Sequence, residues 1–356
     1  MKKKANVMFT ACCGWPTCGT IDCARQSDKY DFRIIGVDAN PITAALNYVD
    51  VLYKVPKFYE DGYIQQMLEI CDKENIDVIV PLISDEINIL NENRELFESK
   101  GIKFLMSGKD CRLDIANDKF KLWQYLLSNG IDIMPKSIML TKDNVDEALS
   151  ELGYPDKPVC LKCTDGCGSS GFRIIDDKGA HDIVFSRSRA TRSNKFLSKD
   201  QLVNALDTLE PDFMLQEYVS GEELGTICLV DNGKTLFSPS HRNLLMDFST
   251  TTYCELVNDT EANAIVNEIN AMFKFSGNIG YDFMRSDSGK LVLMEINPRI
   301  SATVSLSAKA GLNLVALGVE YALGETIDTN IVPQYGLRLM RNYGTLYEKD
   351  GKAYGR

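Results

Sequence analysis

Two stretches of this 356-residue chain carry residue types whose order could do chemistry. In the first, an apolar run from Val159 ends on Lys162, a loop with Gly166, Gly168 and Gly171 follows, and a second apolar run continues to Ile175. Glycines let the backbone approach a ligand and turn its N–H groups inward, which makes a cradle for phosphate oxygens. Ser169 and Ser170 add hydroxyl donors, and Lys162 supplies a point charge. The lysine precedes the glycines and both flanks read as strands, so this is not the P-loop, where Gly-Lys-Ser/Thr opens a helix. Taken alone, the segment reads equally well as a glycine-rich hairpin turn with a surface lysine.

The second stretch runs from Gly280 to Arg299 and reads as a hairpin closed by Ser286-Asp287-Ser288-Gly289. With Arg285 opposite Lys290, Asp282 falls opposite Leu293, and Glu295 lies two residues further along the same face. Such diagonal neighbours are roughly 7–8 Å apart at the backbone, within reach of two carboxylates sharing a cation. Period-2 geometry adds Asn297 to that face. Asp282, Glu295 and Asn297 form an all-oxygen set suited to Mg²⁺. A solvated strand end is the bland alternative. Tyr281, Phe283, Leu291 and Leu293 argue for a buried hairpin, where grouped carboxylates require a counter-charge.

Composition narrows the classes. Lys and Arg number 39 against 50 Asp and Glu, a net charge of −11 that disfavours nucleic-acid backbones as partners. With only two histidines, His181 and His241, multi-His metal sites lack material. No apolar run approaches the ~20 residues of a membrane span, so no membrane partner is expected. The 11 cysteines lack a regular spacing and read as reduced thiols of a cytoplasmic protein.

The elements that must position these groups fall into two patterns. Strand-type runs at Asn6–Thr10, Phe32–Asp38, Val51–Val55, Asp77–Pro81 and Lys103–Met106 alternate with helical patterns at Tyr63–Glu74 and Glu86–Phe97. That spacing implies a parallel sheet wrapped on both faces, an α/β Rossmann-like unit over 1–110. Thereafter come helices at Asp118–Ser128, Asn144–Leu152, Lys199–Leu209 and Glu261–Phe273, with strands joined as hairpins, an α+β unit with antiparallel sheets. The stretch Ser186–Lys195 is basic and reads as an exposed loop.

Lys119, the Lys162 loop, Gln216-Glu217-Tyr218-Val219-Ser220-Gly221-Glu222-Glu223, and Asp282 followed by Glu295-Ile296-Asn297-Pro298-Arg299 stand in the order of the ATP-grasp superfamily motifs. The chain resembles the carbamoyl-phosphate-synthase-like and pyrrolysine-biosynthesis-like carboxylate–amine ligases over nearly its whole length. The resemblance implies a pre-ATP-grasp Rossmann-like domain (1–110) and an ATP-grasp fold of two subdomains (111–330, with a small lid subdomain about 136–217). Residues 331–356 would then be a C-terminal extension. It implies ATP and Mg²⁺ as cofactors, with Lys119 and Lys162 on the phosphates and Gly166, Gly168, Ser169 and Gly171 as a phosphate lid. The backbone of Glu217 and Val219 would read the adenine edge, and Glu223 would bind the ribose. Asp282, Glu295 and Asn297 would hold magnesium, and Arg299, with Lys162, would act on the acyl-phosphate. Arg242 is a weaker candidate for a phosphate or carboxylate contact. The implied reaction joins a small carboxylic acid, an amino acid among the candidates, to an amine, with release of ADP and phosphate. Bicarbonate activation and a non-catalytic ATP-binding regulator are the competing readings. A homodimer is compatible with the family.

Two departures stand out. Cys163 follows Lys162 where proline is common, and the connection from Asp176 to Leu197 is long. Cys12, Cys13, Cys18 and Cys23, like Cys160, Cys163 and Cys167, could suggest metal ligation, but small buried thiols account for them more simply. Gly14–Gly19 lacks the G-x-G-x-x-G spacing and reads as a loop that contacts the acceptor substrate or shapes the domain junction. Asp85 and Glu86 read as helix N-terminal capping.

Overall fold

The computed structural model describes all residues except 15–16, 41–43, 166–170, 179–194, 207–211, 248–249, 343–346, 350–351 and 355–356. The apolar runs of the first third form five parallel strands: β1 (Lys3–Phe9), β2 (Tyr30–Asp38), β3 (Val51–Lys54), β4 (Val78–Val80) and β5 (Lys103–Phe104). Their order is β3-β2-β1-β4-β5. Alternate residues of β1 feed two cores. Val7 and Phe9 pack with Ile21 and Ala24 of the helix Thr17–Arg25, and Met8 packs with Met67 and Ile70 of the helix Tyr63–Glu74. Burial on both faces is why these strands read as continuous apolar runs.

The helix expected over Glu86–Phe97 is broken. A 3₁₀ turn, Ser84–Glu86, leads into Ile87–Glu92 and Arg94–Glu98, separated at Asn93. The Asn93 side chain donates to the Ile89 carbonyl at 2.9 Å, a local bond that competes with helix continuation.

A second sheet contains β6 (Ser137–Met139), β7 (Val159–Cys163), β8 (Arg173–Ile175), β9 (Phe196–Leu197) and β10 (Phe213–Glu217), in the order β6-β10-β7-β8-β9. It has an apolar core of its own, built from Leu149, Leu161, Leu202, Phe213 and their neighbours. The third sheet holds β11 (Gly221–Asp231), β12 (Lys234–Phe237), β13 (Ser240–Asp247), β14 (Thr250–Val257), β15 (Gly277–Ser286), β16 (Leu291–Asn297) and β17 (Arg338–Met340). Its path is β16-β15-β11-β13-β14-β17, with β12 on β11. The segment 331–356 thus contributes the edge strand β17.

The large sheet and the parallel sheet are packed as one body. Phe283, Leu293 and Ile279 share a core with Met8 and Ile35, while Ile227 and Leu229 share one with Val7 and Phe9. Ser27 donates to Glu320 at 2.7 Å and Ser107 to the Ser276 carbonyl at 2.8 Å across the same junction. This packing brings the loop after β4 against the end of β16.

Candidate functional site

The site is built on the β15–β16 hairpin, whose register differs from the expected one. Arg285 pairs with Leu291 rather than Lys290, because Gly289 takes a left-handed conformation (φ 86°) and Ser286 N–H closes on the Lys290 carbonyl at 2.9 Å. Phe283 therefore faces Leu293. Met294 then forms a β-bulge, and the extra residue sets Asp282 directly opposite Glu295. The two carboxylates are cross-strand neighbours instead of diagonal ones. Asn297 faces Gly280, and its amide nitrogen donates to Asp282 at 2.9 Å and Glu295 at 3.3 Å. Tyr281, Phe283, Leu291 and Leu293 are buried on the opposite face, as the sequence implied.

Asp282 is exposed to solvent, though crowded by the protein atoms around it. Confinement, followed by the Glu295 charge facing it, pushes its carboxyl well above the usual carboxylate range. Glu295 behaves oppositely. Burial works against its charge, but Lys119 and Lys162 outweigh that and hold it low. The Lys119 ammonium lies 3.1 Å from Glu295. Lys162 is depressed by burial, and Glu295 partly restores it. Its ammonium donates to Gln216 Oε1 at 2.7 Å, and Gln216 in turn donates to Ser137 Oγ at 3.0 Å. Two carboxylates pressed together at a strand end, with hard oxygen donors and no thiol or imidazole between them, fit a Mg²⁺ ion.

Arg299 donates to Asn297 Oδ1 at 3.1 Å and to Ser84 Oγ at 3.2 Å, and Ser84 also donates to Asn297 at 3.2 Å. Ser84, Asn117, Lys119, Asp165, Glu295 and Asn297 line one cleft. Helix Lys119–Ser128 begins there, with Asp118 capping it through bonds to the Phe120 and Lys121 N–H groups. The Lys119 N–H also donates to the Thr164 carbonyl at 2.8 Å, tying this helix start to the end of β7.

The other expected positions divide. Glu223 shares the face of Asp282 by strand alternation and accepts from Asn243 at 3.4 Å. Glu217 ends β10 and Val219 follows it before β11, but the Glu217 N–H is committed to the Lys136 carbonyl at 2.9 Å. Any base contact by Glu217 must therefore use its carbonyl. Gly171 has φ 68°, and a Cβ there would meet Cys163 Sγ at 2.4 Å, so packing requires this glycine. Gly166, Gly168 and Ser169, and most of the basic stretch 186–195, lie outside the described residues. Arg242 falls on the face of Leu224 and Phe283, away from Asp282, with Glu255 at 3.7 Å.

Sequence reasoning missed Ser84, Asn117 and Asn243 and gave Gln216 no role. Each acts through a contact between segments distant in the chain. Ser84 stood next to the apolar run of β4, and the carboxyl end of a parallel strand was the available signal. Glu86 stands at the N-cap position of the helix Ile87–Glu92 but does not cap it. The Ser84–Glu86 turn and the helix after it have no side-chain cap bond, and Glu86 is buried. No disulfide joins the described cysteines, and all but Cys13 are buried. Cys12, Cys13 and Asp38 do converge, with the two sulfurs 3.7 Å apart.

Comparison with known proteins gives this geometry a family. A model described as "PylC-like, N-terminal domain" matches residues 18–105, and one described as "ATP-grasp in the biosynthetic pathway with Ter operon" matches 209–344. The chain belongs to the ATP-grasp superfamily. This ATP-grasp chain is 25% identical over 313 residues to the arginine-specific carbamoyl phosphate synthase large chain of Bacillus subtilis. That match covers 83% of this chain and 27% of the relative, so the chain spans about a quarter of the length of the curated relatives it matches. Among solved structures, N5-carboxyaminoimidazole synthetase from Staphylococcus aureus, complexed with ADP, superposes with a TM-score of 0.67 at 14% identity, covering 94% of this chain and 81% of that one. The biotin carboxylase domain of the Hydrogenobacter thermophilus 2-oxoglutarate carboxylase, solved with MgADP and bicarbonate, gives 0.65 at 17% identity, covering 90% and 70%. These likenesses establish the Rossmann-like domain followed by the ATP-grasp fold. Among the described residues, no helix is long and apolar enough to cross a membrane.

Proposed function

We propose that this chain is an ATP- and Mg²⁺-dependent ligase that activates a small carboxylate as an acyl-phosphate for attack by an amine, releasing ADP and phosphate. The observation that carries the reading is the convergence of Lys119, Lys162 and Asp282 on Glu295, with the Arg299 charge acting on Asp282. Two solved structures of this fold hold ADP and MgADP, the product side of such a reaction, which supports ATP and Mg²⁺ as cofactors.

A carboxylate is a poor electrophile because its leaving group would be oxide; transfer of the γ-phosphoryl makes the leaving group phosphate. Asp282 and Glu295, with Asn297 beside them, would hold Mg²⁺, whose charge would offset that of the phosphates. Lys162, steadied by Gln216, and Lys119 would face the phosphate oxygens. Arg299, held by Ser84 and Asn297, would stabilise charge building on the transferred group. The protein's part is positioning and charge neutralisation, and no nucleophilic side chain is required.

The test is capture of the activated acid by hydroxylamine as a hydroxamate, with ADP release, across a panel of small acids including free amino acids. Acid-dependent hydroxamate formation that Glu295→Gln abolishes supports the reading. Tight ATP binding with no phosphate release for any acid and amine would favour a regulatory ATP-binding protein. Bicarbonate is the second acid to test, since it is bound in one similar structure and a carbamoyl phosphate synthase is among the relatives. ATP hydrolysis that depends on bicarbonate and on no organic acid would assign that chemistry.

A further inference from the structure

The carboxyl ends of β1 to β4 enclose a cavity of about 200 Å³, walled by Val37, Val55, Phe58, Tyr59 and Tyr63, with Glu86 among its lining residues. In open α/β sheets, ligands bind outside the carboxyl ends of the strands. Glu86 is only 5% exposed, and the buried hydroxyls of Tyr63 and Thr10 lean on its carboxylate, although no contact of its Oε2 reaches full hydrogen-bond geometry. Both hydroxyls favour the charged form of the Glu86 carboxyl, so the three oxygens belong to one cluster. Asp38 adds a second negative charge to the cavity lining while accepting from the Cys13 and Asn40 N–H groups. Among the described residues, neither Glu86 nor Asp38 forms an ion pair. Lys57, at the same cavity, lies over the Tyr59 ring at 5.5 Å.

A buried carboxylate without a counter-charge is costly; a proton relieves it, and so does a ligand that brings positive charge. An alkylammonium matches this lining. It offers three donors and no acceptor to a cluster of three acceptor oxygens, and its carbon chain suits aromatic and aliphatic walls. A carboxylate substrate would be repelled by Glu86 and Asp38. Placement supports the same assignment. Glu86 and Ser84 bound one 3₁₀ turn, roughly 4 Å apart along its axis, and Ser84 touches both Asn297 and Arg299.

We propose that this cavity binds the acceptor as a small primary amine, its ammonium held by Glu86, Tyr63 and Thr10. That the amine is the acceptor rests on the ligase reading above; that the cavity binds an ammonium does not.

The experiment is calorimetric titration of the full chain with n-butylammonium, 1,4-diaminobutane and L-alanine, with n-butanol as the neutral control. The expected result is binding of at least one ammonium compound, no binding of n-butanol, and at least a tenfold loss of affinity in Glu86→Gln. Ala39→Phe, which adds bulk at the cavity without touching the carboxylate, should weaken binding to a similar degree. Melting curves for both variants report whether they fold. No binding by any of the three ammonium compounds overturns the proposal, as does equal affinity in wild type and Glu86→Gln, or equal binding of n-butanol. Turnover plays no part in this readout. Failure of the wild type to form a hydroxamate would remove the ligase reading and leave the amine result standing, and the converse holds.

Discussion

Lys119 sets its ammonium 3.1 Å from Glu295 while its own N–H is bonded to the Thr164 carbonyl at 2.8 Å. One residue thus joins the start of its helix, the end of β7 and the carboxylate hairpin. The charge that holds Glu295 ionised arrives with the contact that fixes β7 beside it.

Glu295→Gln removes one of two facing carboxylates and the partner of Lys119. Loss of about 10²–10³ in hydroxamate formation and ADP release is expected, by analogy with removal of a preorganised electrostatic group. Chelation of divalent ions should abolish both activities in the wild type, and added Mg²⁺ should restore them. Phosphate release assays check both.

Gln216→Leu leaves the Lys162 ammonium without the acceptor it now has at 2.7 Å. A buried charged donor stripped of its partner costs about 1–3 kcal/mol. Urea unfolding should show a loss of that order. Nucleotide affinity should fall as well, because the lysine is no longer aimed, and titration with ATP reads that effect separately.

Glu86 has its carboxyl pushed up to about 7, chiefly by burial, against the pull of the Thr10 and Tyr63 hydroxyls toward the charged form. The folded state therefore binds this proton more tightly than the unfolded one. The resulting stability is fully present below pH ~4.5 and is lost as pH rises through ~7. Glu86→Gln is neutral throughout, so its stability relative to wild type should be near parity at pH 4.5 and higher by about 3 kcal/mol at pH 8. Unfolding measured at the two pH values without amine decides the sign.

Gly225→Ala is expected to destabilise the large sheet. A Cβ at Gly225 would meet the His241 ring at 2.3 Å on the adjacent strand, and His241 is buried. Overpacking of this kind costs about 1–3 kcal/mol. A lower melting temperature should appear together with weakened nucleotide binding, since Gly225 faces Asp282 across β11 and β15.

The sequence by itself determined which groups could do the chemistry and the class of fold that carries them. Parallel strands covered on both faces are apolar along their buried stretches, so β1, β2 and β4 were legible from runs such as Val7-Met8-Phe9. The hairpin was legible from its turn residues and from the alternation that sends Tyr281 and Phe283 inward. Tertiary structure alone decided how the groups meet. A left-handed Gly289 and the Met294 bulge change the register by single residues, and a shift of one residue decides whether Asp282 faces Leu293 or Glu295. The Lys162–Gln216 bond, the reach of Ser84 to Asn297 and Arg299, and the cluster of Glu86 with Thr10 and Tyr63 all depend on contacts between segments far apart in the chain. Local propensity carries no record of such contacts, because burial and charge are set by whichever element packs against the residue and not by its neighbours along the backbone.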